Sequence, residues 1–347
     1  MASQHINAGM PEDFSEVLKI GVLGAGAFGT SMATMAARRG HQVVLWARDE
    51  NQVQTINETK RNPKHGMQDF VLPDNLVATN VLEEACQGAD ILMLALPAQK
   101  IPEFCRQHAS LIDKSTVICN TAKGLYVPTQ QLLSDAVLEA MGRPDQPYAV
   151  LSGPSFAVEI MQNMPTAVVV ASRLLYHAVT IQRALSSLTF RIYSSQDLVG
   201  VQLGGALKNP LAVGAGMIEG AGFGINTLAA YVTRSSSELR SLCIAIGGHP
   251  DTITGLSGVG DLMLTAFGSL SRNRTLGQRL MKGEKLEDLL KESTVEGVPT
   301  AEVAAIYSNK CGLETPIFDT IQKMLSGKIG AAEAQLLLMN RPLKSEH

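Results

Sequence analysis

The sequence predicts an α/β Rossmann-type domain over residues 19–195, followed by an all-α C-terminal domain over 196–347. Three observations carry that expectation. Short apolar runs alternate with helical stretches through the first half, as an open parallel sheet requires. A glycine-spaced loop separates the first apolar run from the helix after it. From about Asp197 onward there is no β alternation, only helical segments broken by glycine clusters.

The elements follow in chain order. Residues 1–18 hold Glu12, Asp13 and Glu16 and no apolar h-region, so they read as a flexible extension and not as a signal peptide. Residues 20–23 form the first strand and 30–39 the helix behind it, with Gly24, Gly26 and Gly29 between them in G-x-G-x-x-G spacing. The first glycine permits a tight turn, the second lets a pyrophosphate approach the main chain, and the third lets helix pack on strand. The helix N-terminus then offers free N–H groups to the phosphates. The flanking strand and helix make this a dinucleotide site.

A second strand, 42–46, ends where an adenine ribose would sit, and is followed by Ala47, Arg48 and Asp49. Arg48 could hold a 2′-phosphate, which favours NADPH over NADH. The alternative is that Arg48 is a solvated loop residue and Asp49 takes the ribose one step later. Further strands are predicted at 76–79, 91–96, 116–120 and 148–151, with 166–171 and 190–193 completing the domain. Helices are expected at 49–59, 82–87, 98–109 and 129–141. In the second half they are expected at 199–219, 227–246, 251–267, 286–291, 300–308 and 316–325. Glycines from Gly214 to Gly224 would each cost an isolated helix roughly 1 kcal/mol. They mark helix ends, backbone approaching a ligand, or close helix packing.

Composition sets the outer limits. A chain of 347 residues with 45% hydrophobic and 18% charged residues can bury two cores. The net charge of −3 argues against a nucleic-acid partner. Five scattered cysteines without C-x-x-C spacing fit reduced thiols in the cytoplasm. No apolar run is long enough to span a membrane, and the seven histidines show no metal-ligand spacing. The C-terminal Lys344-Ser-Glu-His347 matches no lipidation signal.

Ligands in such sheets bind beyond the C-terminal strand ends. Three motifs lie there: Leu96-Pro-Ala-Gln99, Asn120-Thr-Ala-Lys-Gly124 with the ammonium of Lys123, and Ser152-Gly-Pro-Ser-Phe-Ala157 with Gly153 and Ser155. The helical half adds Lys208, alone in an apolar stretch, for which Asp261 is a suitable partner. Asp261 and Thr265 stand one helical turn apart on one face. Ser271, Arg272 and Asn273 form a polar fork suited to a phosphate, although such a run is also common in a solvated turn. Thr294-Val-Glu-Gly297 is a loop with one carboxylate.

From 19 to about 325 the chain resembles the soluble, bacterial-type NAD(P)-dependent glycerol-3-phosphate dehydrogenases. The resemblance rests on GAGAFGTSMA, LWARD, TAKGL, SGPSFAVE, GGALKNPLAVGAGMIEG, GLSGVGDLMLT, SRNRTLG and VEG, in that order. It implies Lys208 as catalytic acid/base, with Lys123, Asp261, Asn209 and Thr265 around the reacting hydroxyl. It implies substrate contacts from Lys123, Gly153, Ser155, Lys208, Asp261, Ser271, Arg272 and Asn273. Dinucleotide contacts are implied for the three loop glycines and for Ala27, Phe28, Arg48, Lys123, Ala157, Arg272, Thr294 and Glu296. Ala27 and Phe28 depart from the family's usual hydroxyl and larger aromatic. The implied substrate pair is dihydroxyacetone phosphate and sn-glycerol 3-phosphate, in a cytoplasmic homodimer that feeds phospholipid synthesis. The β-hydroxyacid and 6-phosphogluconate dehydrogenases share the glycine loop and a catalytic lysine but lack the S-R-N cluster. A non-catalytic NADPH sensor would have no need of Lys208 and Asp261.

Overall fold

The structure is a computed structural model describing residues 16–343 and 345, so the predicted extension over 1–18 lies outside the described residues except for 16–18. The first half is an eight-stranded sheet. Its strands are β1 (Lys19–Leu23), β2 (Gln42–Trp46), β3 (Leu76–Thr79), β4 (Ile91–Leu94) and β5 (Val117–Asn120). A two-stranded hairpin follows, β6 (Leu125–Tyr126) and β7 (Gln131–Leu132). The sheet is completed by β8 (Tyr148–Ser152), β9 (Thr166–Ala171) and β10 (Phe190–Ser195).

The sheet order is β10-β9-β8-β5-β4-β1-β2-β3. Strand order therefore reverses between β1 and β4, and the glycine loop leaves β1 at that switch point, where such folds bind ligands. Alternate residues bury on opposite faces. Ile20, Val22, Ile91 and Met93 join one core, whereas Leu23, Leu92, Leu94 and Ile118 join the other. Both faces are covered, which explains the unbroken apolar runs.

Several expectations need correction. The glycine-loop helix spans Ala27–Arg38 and starts three residues earlier than predicted, because Gly26 adopts the extended N-cap conformation itself. β4 stops at Leu94, before the Pro97 turn, and Ala98–Lys100 is a single 3₁₀ turn leading into Ile101–His108. The helix expected over 129–141 begins only at Leu133, since Gln131 and Leu132 pair with β6. β9 runs antiparallel to β8, so the sheet is mixed. Helices Ala157–Met161 and Leu175–Leu185 were not predicted.

Beyond Ser195 every element is helical. The central helix Leu198–Gly220 is capped by Asp197, whose Oδ1 accepts Gly200 N–H at 2.8 Å. It is apolar on all sides and correspondingly buried. Gly214 and Gly216 are packing positions inside it, whereas Gly220 ends it and Gly224 caps the next helix, Ile225–Ile246. A Cβ on Gly216 would overlap the backbone carbonyl of Arg274, and one on Gly277 would overlap that of Val213. Helix Arg272–Met281 therefore lies backbone to backbone on the central helix. That helix was read as a possible solvated turn; Ser271 caps it instead, accepting Arg274 N–H at 3.2 Å.

The single helix predicted over 251–267 breaks into Pro250–Thr254, a π-helical turn Leu256–Gly260 and Asp261–Phe267. Gly255 ends the first piece in extended conformation, and a Cβ on Gly204 of the central helix would stand 2.8 Å from Ser257 O. Helices Gly297–Lys310 and Pro316–Leu325 follow, and Ala331–Met339 was not predicted. Leu125 and Leu132 of the hairpin pack into the helical core with Leu203 and Leu207, which joins the two halves. Among the described residues no single helix is long and apolar enough to cross a membrane.

Candidate active site

Lys208 lies in the middle of the central helix and is 5% exposed. Its Nζ is 3.1 Å from Asp261 Oδ1 and 3.0 Å from Thr265 Oγ1. Asp261 opens the helix after the π-helical turn and is 1% exposed. One turn later Thr265 donates its hydroxyl to the Asp261 carbonyl, so both partners of Lys208 are held on one face. Burial pushes the Lys208 ammonium down to about 8, against the opposing pull of Asp261 and with help from the charges of Lys123 and Arg272.

Lys123 comes from the loop after β5 and meets the same carboxylate from its other side. Its Nζ lies 2.6 Å from Asp261 Oδ2 and 2.8 Å from Gly153 O. Gly153 requires its glycine: φ is +137°, and a Cβ would stand 2.9 Å from Val168 Cα. Ser155 Oγ also donates to Gly153 O, at 2.9 Å. The loops after β5 and β8 are thereby joined to the helical half through one lysine.

Asn209 and Asn273 extend the cluster. Asn209 Nδ2 donates to Lys123 O at 2.9 Å, and Asn273 Nδ2 donates to Asn209 Oδ1 at 3.0 Å. Gly297 N–H then donates to Asn273 Oδ1 at 2.9 Å. Glu296, beside Gly297, accepts Ala98 N–H at 3.1 Å through Oε1. Its other oxygen is buried and makes no close hydrogen bond among the described residues. Burial pushes the carboxyl up against the opposing pull of Ala98 N–H, Gln99 and Arg272. Gly124 must be small here, as a Cβ would stand 2.8 Å from Ala98 Cβ and 3.3 Å from Glu296 Oε2.

Arg272 occupies the first turn of its helix, exposed and without a hydrogen-bond partner among the described residues. It lines a cavity of about 120 Å³ with Ser269, Thr275 and Ser293. Thr294 is exposed and makes no hydrogen bond to the lysine cluster.

The glycine loop fits a dinucleotide. Gly24 has φ +113°, and a Cβ there would stand 2.5 Å from Ala95 O. A Cβ on Gly29 would overlap Gly24 O, whereas one on Gly26 would meet nothing within 4 Å. The turn is thus tight underneath and open above, and no side chain caps the helix start at Ala27 and Phe28. Ala157 opens the short helix after β8 and packs on the core beneath that loop, which Phe28 also joins. Arg48 is exposed at the end of β2 without a partner among the described residues. Asp49 has other duties: it accepts Gln52 N–H at 3.1 Å and pairs with Lys64.

Sequence models for the N- and C-terminal parts of NAD-dependent glycerol-3-phosphate dehydrogenase match residues 19–177 and 197–335. The chain belongs to that family. It is therefore an oxidoreductase that uses NAD or NADP. It is 43% identical over 328 residues to the glycerol-3-phosphate dehydrogenase (NAD(P)+) of Brucella canis, covering 94% of this chain and 99% of that one. It is 41% identical to the chloroplastic glycerol-3-phosphate dehydrogenase (NAD(+)) 2 of Arabidopsis thaliana, covering 93% and 78% respectively. The crystal structure of the Coxiella burnetii glycerol-3-phosphate dehydrogenase is similar with a TM-score of 0.87 and 31% identity, covering 94% and 99%.

Sequence reasoning missed four residues around the family's site. Ala98 supplies a backbone N–H to Glu296, and Gln52, Asn62 and Thr30 form a buried polar group beneath the glycine loop. Ala98 and Thr30 lie in the Leu96–Gln99 and GAGAFGTSMA motifs, which gave them no such role, whereas Gln52 and Asn62 stand in no motif and isolated amides give no signal.

Proposed function

We propose that the protein reversibly reduces dihydroxyacetone phosphate to sn-glycerol 3-phosphate, with NADPH preferred to NADH. The observation that carries the reading is the buried cluster in which Lys208 and Lys123 flank Asp261, with Arg272, which has no ion-pair partner among the described residues, near enough to lower the affinity of Lys208 for its proton. Arg272 takes the substrate phosphate and fixes one end of the molecule. A dinucleotide held over Gly24, Gly26 and Gly29 would supply the hydride to C2. Lys208 stabilises the charge that grows on the C2 oxygen and gives it a proton. Asp261 and Thr265 aim Nζ, and Lys123 adds positive field.

A lysine near 8 suits both directions, because it can exist as acid or base close to neutral pH. Arg48 supports the NADPH preference, being a cation just past β2 without an ion-pair partner among the described residues, while Lys64 neutralises the neighbouring Asp49. A division into domains at 195/196 is supported by the end of the sheet at Ser195. The family resemblance supports a cytoplasmic homodimer, with supply of phospholipid synthesis as its role.

The test is loss of reduced-nicotinamide absorbance with dihydroxyacetone phosphate, using NADPH and NADH in parallel. Oxidation of either supports the reaction. A folded protein that binds the dinucleotide but turns over neither would require another substrate.

A further inference from the structure

Ala25, in the middle of the glycine loop, has an unusually well-held carbonyl. Gln52 Nε2 donates to it at 2.9 Å and Asn62 Nδ2 at 3.0 Å. The two amides also bond each other, Gln52 Nε2 to Asn62 Oδ1 at 2.9 Å. Asn62 further donates to Thr30 Oγ1 at 2.7 Å, and its Oδ1 accepts Lys64 N–H at 3.1 Å. Asn62 is 0% and Gln52 6% exposed, so the whole group lies beneath the loop.

A trans peptide sets the consequence. No peptide bond among the described residues is cis, so the Gly26 N–H points away from the Ala25 carbonyl across their shared plane. Drawing the carbonyl down onto two amides turns that N–H up. It makes no hydrogen bond among the described residues, and the space around Gly26 is open. A buried network of this sort is costly unless each member is satisfied. Here it holds a single peptide plane at the point where a pyrophosphate would pass.

We propose that Gln52 and Asn62 are positioning residues for the dinucleotide, fixing the Ala25–Gly26 peptide so that the Gly26 N–H meets the pyrophosphate. The inference rests on the NAD(P) reading of the family and adds to it residues from outside the glycine motif. Both cofactors carry the same pyrophosphate, so the effect is common to both. Arg48, by contrast, would separate them.

The experiment uses the full chain with Gln52→Met, Asn62→Leu and the double variant, which remove donors at similar volume. Dissociation constants for NADH and NADPH are measured by fluorescence, and hydrogen exchange of the loop peptide is followed with and without NADH. In the double variant both constants should rise together by about tenfold. NADH should no longer protect the loop peptide, while the melting temperature and exchange of β1 stay near wild type. Gln52→Met alone leaves Asn62 in place and should give a smaller rise of the same kind, which serves if the double variant does not fold. A folded variant that binds both dinucleotides as wild type does, with full loop protection, overturns the proposal. So does a loss confined to one dinucleotide. Wild-type protein that binds neither would overturn the underlying NAD(P) reading as well.

Discussion

Lys208 and Asp261 are 53 positions apart in the chain and 3.1 Å apart in the fold, both almost wholly buried. The carboxylate is shared, since its other oxygen holds Lys123. Two cations on one anion leave a net positive charge in a poorly hydrated place, which is what an incoming phosphate and a developing alkoxide both require.

Removal of the Lys208 ammonium should separate chemistry from binding. Lys208→Ala is expected to lower kcat by at least ~100-fold while the dinucleotide dissociation constant changes little. Asp261 keeps Lys123 as a partner, so the variant should fold. Near-normal turnover in steady-state assays would remove Lys208 from the acid/base role.

The pH profile follows from the same group. Burial brings Lys208 down to about 8, so the ammonium predominates below that value and the free amine above it. In the proposed role of Lys208 as acid, reduction consumes the ammonium, and its kcat/KM should fall as pH rises through about 8. Oxidation of glycerol 3-phosphate would use the amine in that role and should rise over the same range. Profiles in which both directions lack this limb would mean that another group carries the proton.

Arg272→Ala should act chiefly through substrate affinity. The guanidinium has no hydrogen-bond or ion-pair partner among the described residues and acts on Glu296 and Lys208 only through its field, so its loss breaks no direct contact. A rise in KM for the phosphorylated substrate of roughly tenfold or more is expected. An unchanged KM would place the phosphate elsewhere.

Cofactor choice is testable at Arg48. Arg48→Asp puts a carboxylate at the end of β2, where it repels a 2′-phosphate and can accept from ribose hydroxyls. The ratio of kcat/KM for NADPH over NADH should drop; if it does not, Arg48 lies outside the adenosine site.

Gly216→Ala tests the close contact of two helices. The added methyl overlaps the Arg274 carbonyl and must push away the helix that begins with Arg272 and Asn273. A loss of about 1–3 kcal/mol is expected in denaturant unfolding, with a raised substrate KM. Stability equal to wild type would show that the helices can separate freely.

Much of this protein was legible in the chain. The short apolar runs located every strand of the large sheet to within about two residues, because a strand buried on both faces must be apolar throughout. Lys208 stood out for the converse reason, as a charge among apolar residues with Asp261 as an available partner. Helix Arg272–Met281 was missed because its apolar stripe is short and its arginines imitate a turn. Packing of Gly277 and Leu276 against the central helix holds it in place, a tertiary effect that local propensity does not register.

The sequence by itself determined the fold class, the glycine loop and the identity of the charged groups, since these depend on backbone conformation and side-chain chemistry over a few neighbouring residues. Only the tertiary structure decided that Lys123 shares Asp261 with Lys208, that Glu296 reaches Ala98, and that two amides hold Ala25. Each of those contacts joins residues distant in the chain: the two amides reach Ala25 only when their segment folds against the glycine loop, and the others exist only once the two halves have packed together.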